Sequence, residues 1–408
     1  MNNPVSNNVS TLNVLLYGEP IATITNVGND RTLFAFTDAY ANDKARPVLG
    51  LGFKDALGNL INNFRVTQTR LIPFFSNLLP EETMRNYLAE RAGVNPAREF
   101  FLLWVLGQDL AGAITVVPAD GEALPPNVHE DIEEEGKHEA PMRFSLAGVQ
   151  LKFSAVQHAS GGLTIPASGT GGSWIVKLPS SRFGAVPENE YSMMELARML
   201  GMDVPETQLR PIDEIANIPE GLGKFGNSAF AIKRFDRANG QAIHVEDFAQ
   251  VFGVYPQDKY KKASMRNIAQ VIGIEGKEQD IAEFIRRLVF NTLIGNADMH
   301  LKNWSVIYKD KRTASIAPAY DFVSTIPYIP DNSAALNVSR SKKFSDFTFD
   351  ELSHLAAKAM LQEKLVLDTA KQTVEGFHEV WAKEKTHLPL TKDMIDAIDK
   401  HLRDVPLR

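Results

Sequence analysis

The stretch that most constrains this chain is residues 284–322, FIRRLVFNTLIGNADMHLKNWSVIYKDKRTASIAPAYDF. Phe284, Ile285, Leu288, Val289, Leu293 and Ile294 recur at helical spacing and the run stops at Gly295, so a helix with a buried face is expected there. An open loop carrying Asp298, His300, Lys302 and Asn303 follows at once. WSVIY then alternates as a strand, Lys309 to Arg312 form a charged turn, and a returning strand ends at Tyr320, Asp321 and Phe322. Such a hairpin is expected to carry Asp321 back beside Asn303.

Two carboxylates and an amide brought together suit a hard cation, because Mg2+ takes oxygen ligands and shares them with substrate phosphates. The spacing from Asp298 to Asn303 is that of a protein-kinase catalytic loop, in which an Asp accepts the hydroxyl proton and an Asn five places on holds metal. Asp321-Phe322 stands where a kinase carries its metal-binding Asp. An isolated D-x-x-x-x-N is usually a loop cap. Here the order of helix, loop and hairpin favours phosphoryl transfer. D-x-H-x-x-N is closer to the loop of phosphoinositide-type kinases than to H-R-D, and the role of His300 stays open.

The 408 residues allow two or three domains, and 44% hydrophobic with 23% charged residues is an ordinary globular composition. The net charge of -7 supplies no basic field to recruit nucleic acid or an anionic membrane. The absence of cysteine excludes disulfides, thiolate metal sites and Cys nucleophiles. MNNPVSNNVS lacks a charged-then-apolar leader, and the most apolar run, 100–117, is interrupted by Gln108 and Asp109. A cytoplasmic protein without a membrane span is expected.

In chain order, residues 11–25 read as two strands around a Gly-Glu-Pro turn, and TLFAFTDAY as a third. FFSNLLPEETMRNYLAERAGV and AREFFLLWVLGQDLAGAITVVP read as two helices leading into a strand, which closes a small α/β subdomain over 1–118. Residues 119–141 are proline-rich and acidic, a solvated linker rather than a docking site, and His129 and His138 there lack ligand spacing. An ATP-binding lobe is expected over 142–237 and a helical lobe over 238–408.

In the first of these lobes, SLAGVQLK offers a small-residue turn of the kind that lets backbone N–H groups approach phosphate, although taken alone such a turn is usually a hairpin. The glycine-rich 160–173 lacks both G-x-G-x-x-G and Walker spacing and reads as hairpin turns, and GLGKFGNS (221–228) does not fit the Walker pattern. SWIVKLP places Lys177 in an apolar strand, where a lysine needs a partner. The helix from Pro187 to Gly201 offers Glu190, with Glu195 as a rival, for the strand-Lys and helix-Glu pair that orients ATP phosphates. SAFAIKRFDR is either a lobe connection contacting adenine or an edge strand with a charged end. Segments 245–253, 265–273, 280–294, 347–361, 362–385 and 391–403 read mostly as amphipathic helices.

SLAGVQLK (145–152), WIVKLP (174–179), ENEY (188–191), KRFDR (233–237), IGNADMHLKN (294–303) and YD (320–321), in that order, resemble the HipA family of bacterial serine/threonine kinases. FFSNLLPE (74–81) and LGQDLAGAITVVP (106–118) are similar to that family's amino-terminal subdomain, so the likeness spans nearly the whole chain. It implies a bilobal, kinase-like α/β fold with an N-terminal accessory subdomain and an all-helical C-terminal lobe. It implies ATP and Mg2+ as cofactors, Asp298 as catalytic base, and Asn303 and Asp321 as Mg2+ ligands. Lys177 would contact the α/β-phosphates, Ala147, Gly148, Val149, Gln150, Leu151 and Lys152 would form the phosphate loop, and Lys233, Arg234 and Phe235 would reach adenine. His300, Lys302 and Tyr320 would lie along the nucleotide, Glu190 would pair with Lys177, and Ser145 would be autophosphorylated.

The same resemblance implies the toxin half of a toxin-antitoxin module that arrests growth and promotes persistence. A small helix-turn-helix, HipB-like antitoxin would be its partner and would make most of the contact with operator DNA. The substrate would be an aminoacyl-tRNA synthetase, glutamyl-tRNA synthetase above all. Lys233 stands where some relatives carry Glu, which matters only if the adenine contacts run through side chains. The alternatives are a kinase of this fold with another protein or small-molecule substrate, and a non-catalytic co-repressor.

Overall fold

The computed structural model describes residues 10–119, 152–157, 162–165, 172–218 and 226–407. Ser145, Ala147, Gly148, Val149, Gln150, Leu151, His129, His138 and the acidic stretch lie outside the described residues, as do parts of both glycine-rich segments.

The chain divides into two compact units. The first holds the described residues up to 119 and adds Ala238–Pro256 and Lys309–Arg312. Its sheet is built from β1 (Ser10–Leu16), β2 (Glu19–Asn26), β3 (Arg31–Phe36), β4 (Thr67–Gln68) and β5 (Ile114–Pro118), in the order β4-β3-β2-β1-β5. Every pairing is antiparallel. Alternation decides which face is inward: Leu12, Val14 and Leu16 are buried while the residues between them are not. Phe34, Phe53 and Phe75 pack together beneath the sheet, with Phe34 and Phe53 centred 5.7 Å apart and Phe34 and Phe75 5.3 Å.

Three local expectations change here. TLFAFTDAY is not strand throughout, because the Thr37 hydroxyl accepts from the Tyr40 N–H and starts a helix over Asp38–Asn42. The first expected helix is two, Pro73–Ser76 and Glu82–Ala92, with Pro80 between them at the break. Residues 245–253 are a strand over His244–Asp247 followed by one turn of helix over Phe248–Val251. Long-range bonds hold that segment in the first unit: Glu246 accepts from the Leu51 N–H at 2.8 Å, and the Asn77 amide donates to the Val254 carbonyl at 2.7 Å.

The second unit contains a six-stranded sheet of β6 (Lys152–Gln157), β7 (Leu163–Thr164), β8 (Trp174–Lys177), β9 (Thr207–Pro211), β10 (Ile215–Ala216) and β11 (Ser228–Lys233). Its order is β10-β7-β6-β8-β11-β9. Lys177 therefore sits in a central strand, opposite Lys152 on one side and Phe230 on the other. The helix Val186–Met199 packs on this sheet and ends where Gly201 adopts the left-handed conformation, φ 75°.

The remainder of the second unit is not the all-helical lobe expected: besides its helices it holds the hairpin of Ser305–Tyr308 and Ser315–Ile316 and a stretch over 317–343 without helix or strand, which carries Asp321. Its helices are Met265–Glu275, Glu278–Leu293, Phe349–Ala359, Glu363–Glu384 and Lys392–Asp404. Glu278–Leu293 is the one the loop hangs from: Phe284, Ile285, Val289 and Leu293 are fully buried, and Phe290 meets Phe322 at 5.4 Å and Phe377 at 5.8 Å. Burying such side chains stabilises the scaffold by about 1.5–3 kcal/mol each, which makes the loop's base rigid. Among the described residues no helix is long and apolar enough to cross a membrane.

Candidate active site

Lys177 is the centre of the site. Its ammonium pairs with Glu190 from the helix Val186–Met199 and also with Asp321, so two carboxylates share one cation. The Phe230 ring lies 5.7 Å from the same nitrogen. Glu195, the rival partner, is instead held by Arg198 and by the Thr207 hydroxyl at 2.6 Å.

Burial opposes charge throughout this cluster, and the balance separates its members. Burial pushes the Glu190 carboxyl up to about 7, with Lys177 counteracting and Asp321 reinforcing the rise. Its side chain is 1% exposed, and its Oε2 has no hydrogen-bond partner among the described residues. The Asp321 side chain keeps 29% exposure. Burial raises its carboxyl too, but Lys177, Lys152 and His300 together hold it at about 2. Burial lowers the Lys177 ammonium, and its two carboxylate partners overcome that and hold it above the ordinary lysine value. Asp321 is thus the stronger acid of the pair, with an ionised oxygen to offer a cation.

The backbone at Asp321 is left-handed, φ 57°, a conformation costly for a residue with a Cβ. What holds it is the segment that follows. Phe322 is buried, and Asn189, also fully buried, clamps Ser324: its amide donates to the Ser324 carbonyl at 2.9 Å and its oxygen accepts from the Ser324 N–H at 3.0 Å. Thr325 ties on the loop, accepting from the Ala297 N–H at 2.8 Å and donating to the Gly295 carbonyl at 3.1 Å.

The loop is organised by buried Asn296. Its amide donates to Asn291 Oδ1 at 2.9 Å, and its own Oδ1 accepts from the Asp298 N–H at 3.0 Å. The Asp298 carbonyl accepts from the His300 N–H at 2.8 Å and from Asn303 Nδ2 at 3.1 Å. That commitment of Nδ2 leaves the Asn303 carbonyl oxygen as the atom suited to a cation. The Asp298 side chain is exposed, and Tyr260 donates to its Oδ1 at 2.6 Å.

The returning strand is shorter than expected, ending at Ile316 rather than at Phe322, and Tyr320 lies beyond it, its hydroxyl bonding Ser305 and donating to the Lys302 carbonyl at 2.9 Å. The Tyr320 ring is 5.7 Å from Phe235. Arg234 is held by structure: it is buried, forms a two-bond pair with Asp236 at 3.0 Å, and donates its backbone N–H to Ser173. The Lys233 N–H is taken by Glu206. Asn189, Asn296, Thr325 and Tyr260 were not singled out from the sequence. For Asn189 and Asn296 the available signal was an amide placed one or two residues from a candidate acidic group, inside otherwise apolar surroundings.

Among the described residues no group of three His, Asp or Glu side chains is arranged to hold a metal. An Asn and an Asp that share a cation with nucleotide phosphates need no such group. A central-strand lysine paired with a helix glutamate, set beside an Asp-Phe segment and a loop D-x-x-x-x-N, defines an enzyme of the serine/threonine-kinase class.

Comparison with known proteins identifies the family. The HipA N-terminal domain model matches residues 12–117, and the HipA-like C-terminal domain model matches residues 144–381. This chain belongs to the HipA family. It is 57% identical to the Sinorhizobium fredii protein Y4dM over 402 residues, which span 98% of each chain. It is 30% identical over 302 residues to the serine/threonine-protein kinase toxin HipA of Shewanella oneidensis, covering 64% of this chain and 65% of that one. In fold it is similar to the HipA solved from Shewanella oneidensis with HipB and operator DNA, with a TM-score of 0.72 at 21% identity over 97% of this chain and 95% of the other.

Proposed function

We propose that this protein is the toxin of a two-component toxin-antitoxin module, a kinase that transfers the γ-phosphoryl group of ATP to a serine or threonine of a translation protein. The observation that carries the reading is Lys177 held between Glu190 and Asp321. A buried ammonium in that position neutralises phosphate charge without having to reorganise.

Asp298 accepts the proton of the attacking hydroxyl as the oxygen–phosphorus bond forms and the bond to ADP breaks. Its carboxylate lies at the surface, where a protein side chain can reach it. Asn303 and Asp321 would hold Mg2+, which supplies neutralisation of the developing phosphate charge. Lys177 contacts the α/β-phosphates, and the loop of Ala147, Gly148, Val149, Gln150, Leu151 and Lys152 covers them. Lys152 is supported by its register opposite Lys177.

Because the N–H groups of Lys233 and Arg234 are already bonded, adenine recognition falls to carbonyl oxygens of this strand end and to the paired rings of Phe235 and Tyr320. His300 and Lys302 line the same loop. Ser145 is the site of self-phosphorylation, where a phosphate of roughly two negative charges repels ATP and shuts the enzyme off.

The substrate class is an aminoacyl-tRNA synthetase, glutamyl-tRNA synthetase first. The partner is a HipB-like helix-turn-helix antitoxin, which makes most of the contact with operator DNA. An acidic chain of net charge -7 suits that division of labour. Intact mass after incubation with ATP and Mg2+ tests the reading. Wild type should gain one phosphate, and Asp298→Asn and Ser145→Ala should gain none. No gain in a wild-type sample that starts unphosphorylated, together with no transfer to glutamyl-tRNA synthetase, overturns it in favour of a non-catalytic co-repressor or another substrate.

A further inference from the structure

We propose that Tyr260 is a positioning residue for Asp298, its phenol holding one oxygen of the carboxylate so that the other meets the substrate hydroxyl. This rests on the reading of Asp298 as the base.

Tyr260 follows the short turn Pro256–Asp258 and touches the catalytic loop through its hydroxyl, its ring and the chain beside it. Its hydroxyl donates to Asp298 Oδ1 at 2.6 Å. Its ring meets the buried His300 ring edge-on, with centroids 5.0 Å apart at 82°. The carbonyl of neighbouring Lys259 accepts from the Leu301 N–H at 3.4 Å. The phenol is therefore aimed by the loop it serves.

Three bonds act on the Asp298 main chain. Asn296 takes its N–H, while His300 and Asn303 donate to its carbonyl. They set where the Cα sits, and the Tyr260 hydroxyl acts on the carboxylate itself. A proton acceptor works only when its oxygen points in the productive direction. A hydroxyl donor on one oxygen favours one orientation, and a carboxylate has lone pairs enough on the other oxygen for the substrate. Tyr260 is itself 43% exposed, so its hydroxyl is spent on this contact rather than on satisfying a buried group.

The test compares Tyr260→Phe, Tyr260→Ala, Asp298→Asn and wild type in ATP and Mg2+, following ADP release and phosphate incorporated into the chain. Tyr260→Phe keeps the ring against His300 and removes only the hydroxyl. It should lower kcat about 10-fold with the KM for ATP unchanged, as the loss of one hydrogen bond to a charged group predicts. Tyr260→Ala should lose about as much. If Tyr260→Phe matches wild type, or turns over faster, while Asp298→Asn is inactive, the positioning role is overturned and the kinase reading stands. If wild type itself releases no ADP and gains no phosphate, the kinase reading fails and this inference falls with it.

Discussion

Lys177 and Asp321, 144 residues apart in the chain, meet as a partly buried ion pair, and Glu190 completes the cluster from a third element. Lys177 both faces arriving phosphate and holds Asp321 and Glu190 in place, so removing the cation hurts the enzyme twice. Lys177→Met should reduce phosphate transfer by about 100-fold or more, the scale for deleting one preorganised charge-stabilising donor. Radiolabel incorporation from ATP measures it, and a variant within a factor of a few of wild type would remove Lys177 from the machinery.

The burial of Glu190 leaves a mark on stability. Glu190 rises from 4.5 in the unfolded chain to about 7 in the folded one, so between those values the folded state binds the extra proton. Stability then falls as pH rises through that window, by up to about 3 kcal/mol at 1.36 kcal/mol per pKa unit. Glu190→Gln cannot titrate and should lack this slope. Urea unfolding at pH 4.5, 5.5 and 7.0 should show wild type losing ground to the variant as pH rises. A difference that stays constant with pH would contradict the assignment.

Asn189 is completely buried and exchanges two hydrogen bonds with the backbone of Ser324, three residues beyond Asp321. Asn189→Ala strands a buried N–H and a buried carbonyl, each costing about 1–3 kcal/mol. A loss of about 2–4 kcal/mol in urea unfolding is expected, with transfer activity falling further because Asp321 loses its support. Full activity in a folded Asn189→Ala protein would show that the clamp does not position Asp321.

Gly295 ends the scaffold helix at φ 65°, and a Cβ there would sit 2.6 Å from Ile326 Cδ1 and 2.9 Å from Ile326 Cγ2. Alanine meets both a left-handed backbone and a stiff, branched neighbour. Gly295→Ala should cost about 1–3 kcal/mol, read as a lower melting temperature. An unchanged melting temperature would mean that the loop re-forms around the methyl group.

The sequence by itself determined the elements whose logic is local. Glycine and apolar spacing placed the helix over 280–294, observed over Glu278–Leu293, with its end at Gly295, and an apolar run placed the strand carrying Lys177. A lysine in an apolar strand called for a carboxylate, whichever one it proved to be.

What tertiary structure alone decided was direction. Glu190 and Glu195 are five residues apart on one helix, so their side chains leave it about 140° apart; Glu190 meets Lys177, and Glu195 meets Thr207 at the sheet's edge. Residues 245–253 fell into a strand and a single turn because bonds to Leu51, Phe74 and Asn77, about 170 to 200 positions away, outweighed helical spacing. Tyr260 reaches Asp298 across 38 residues through one hydroxyl. No pattern in the chain announces such a contact, because it depends on where two loops arrive and not on the composition of either.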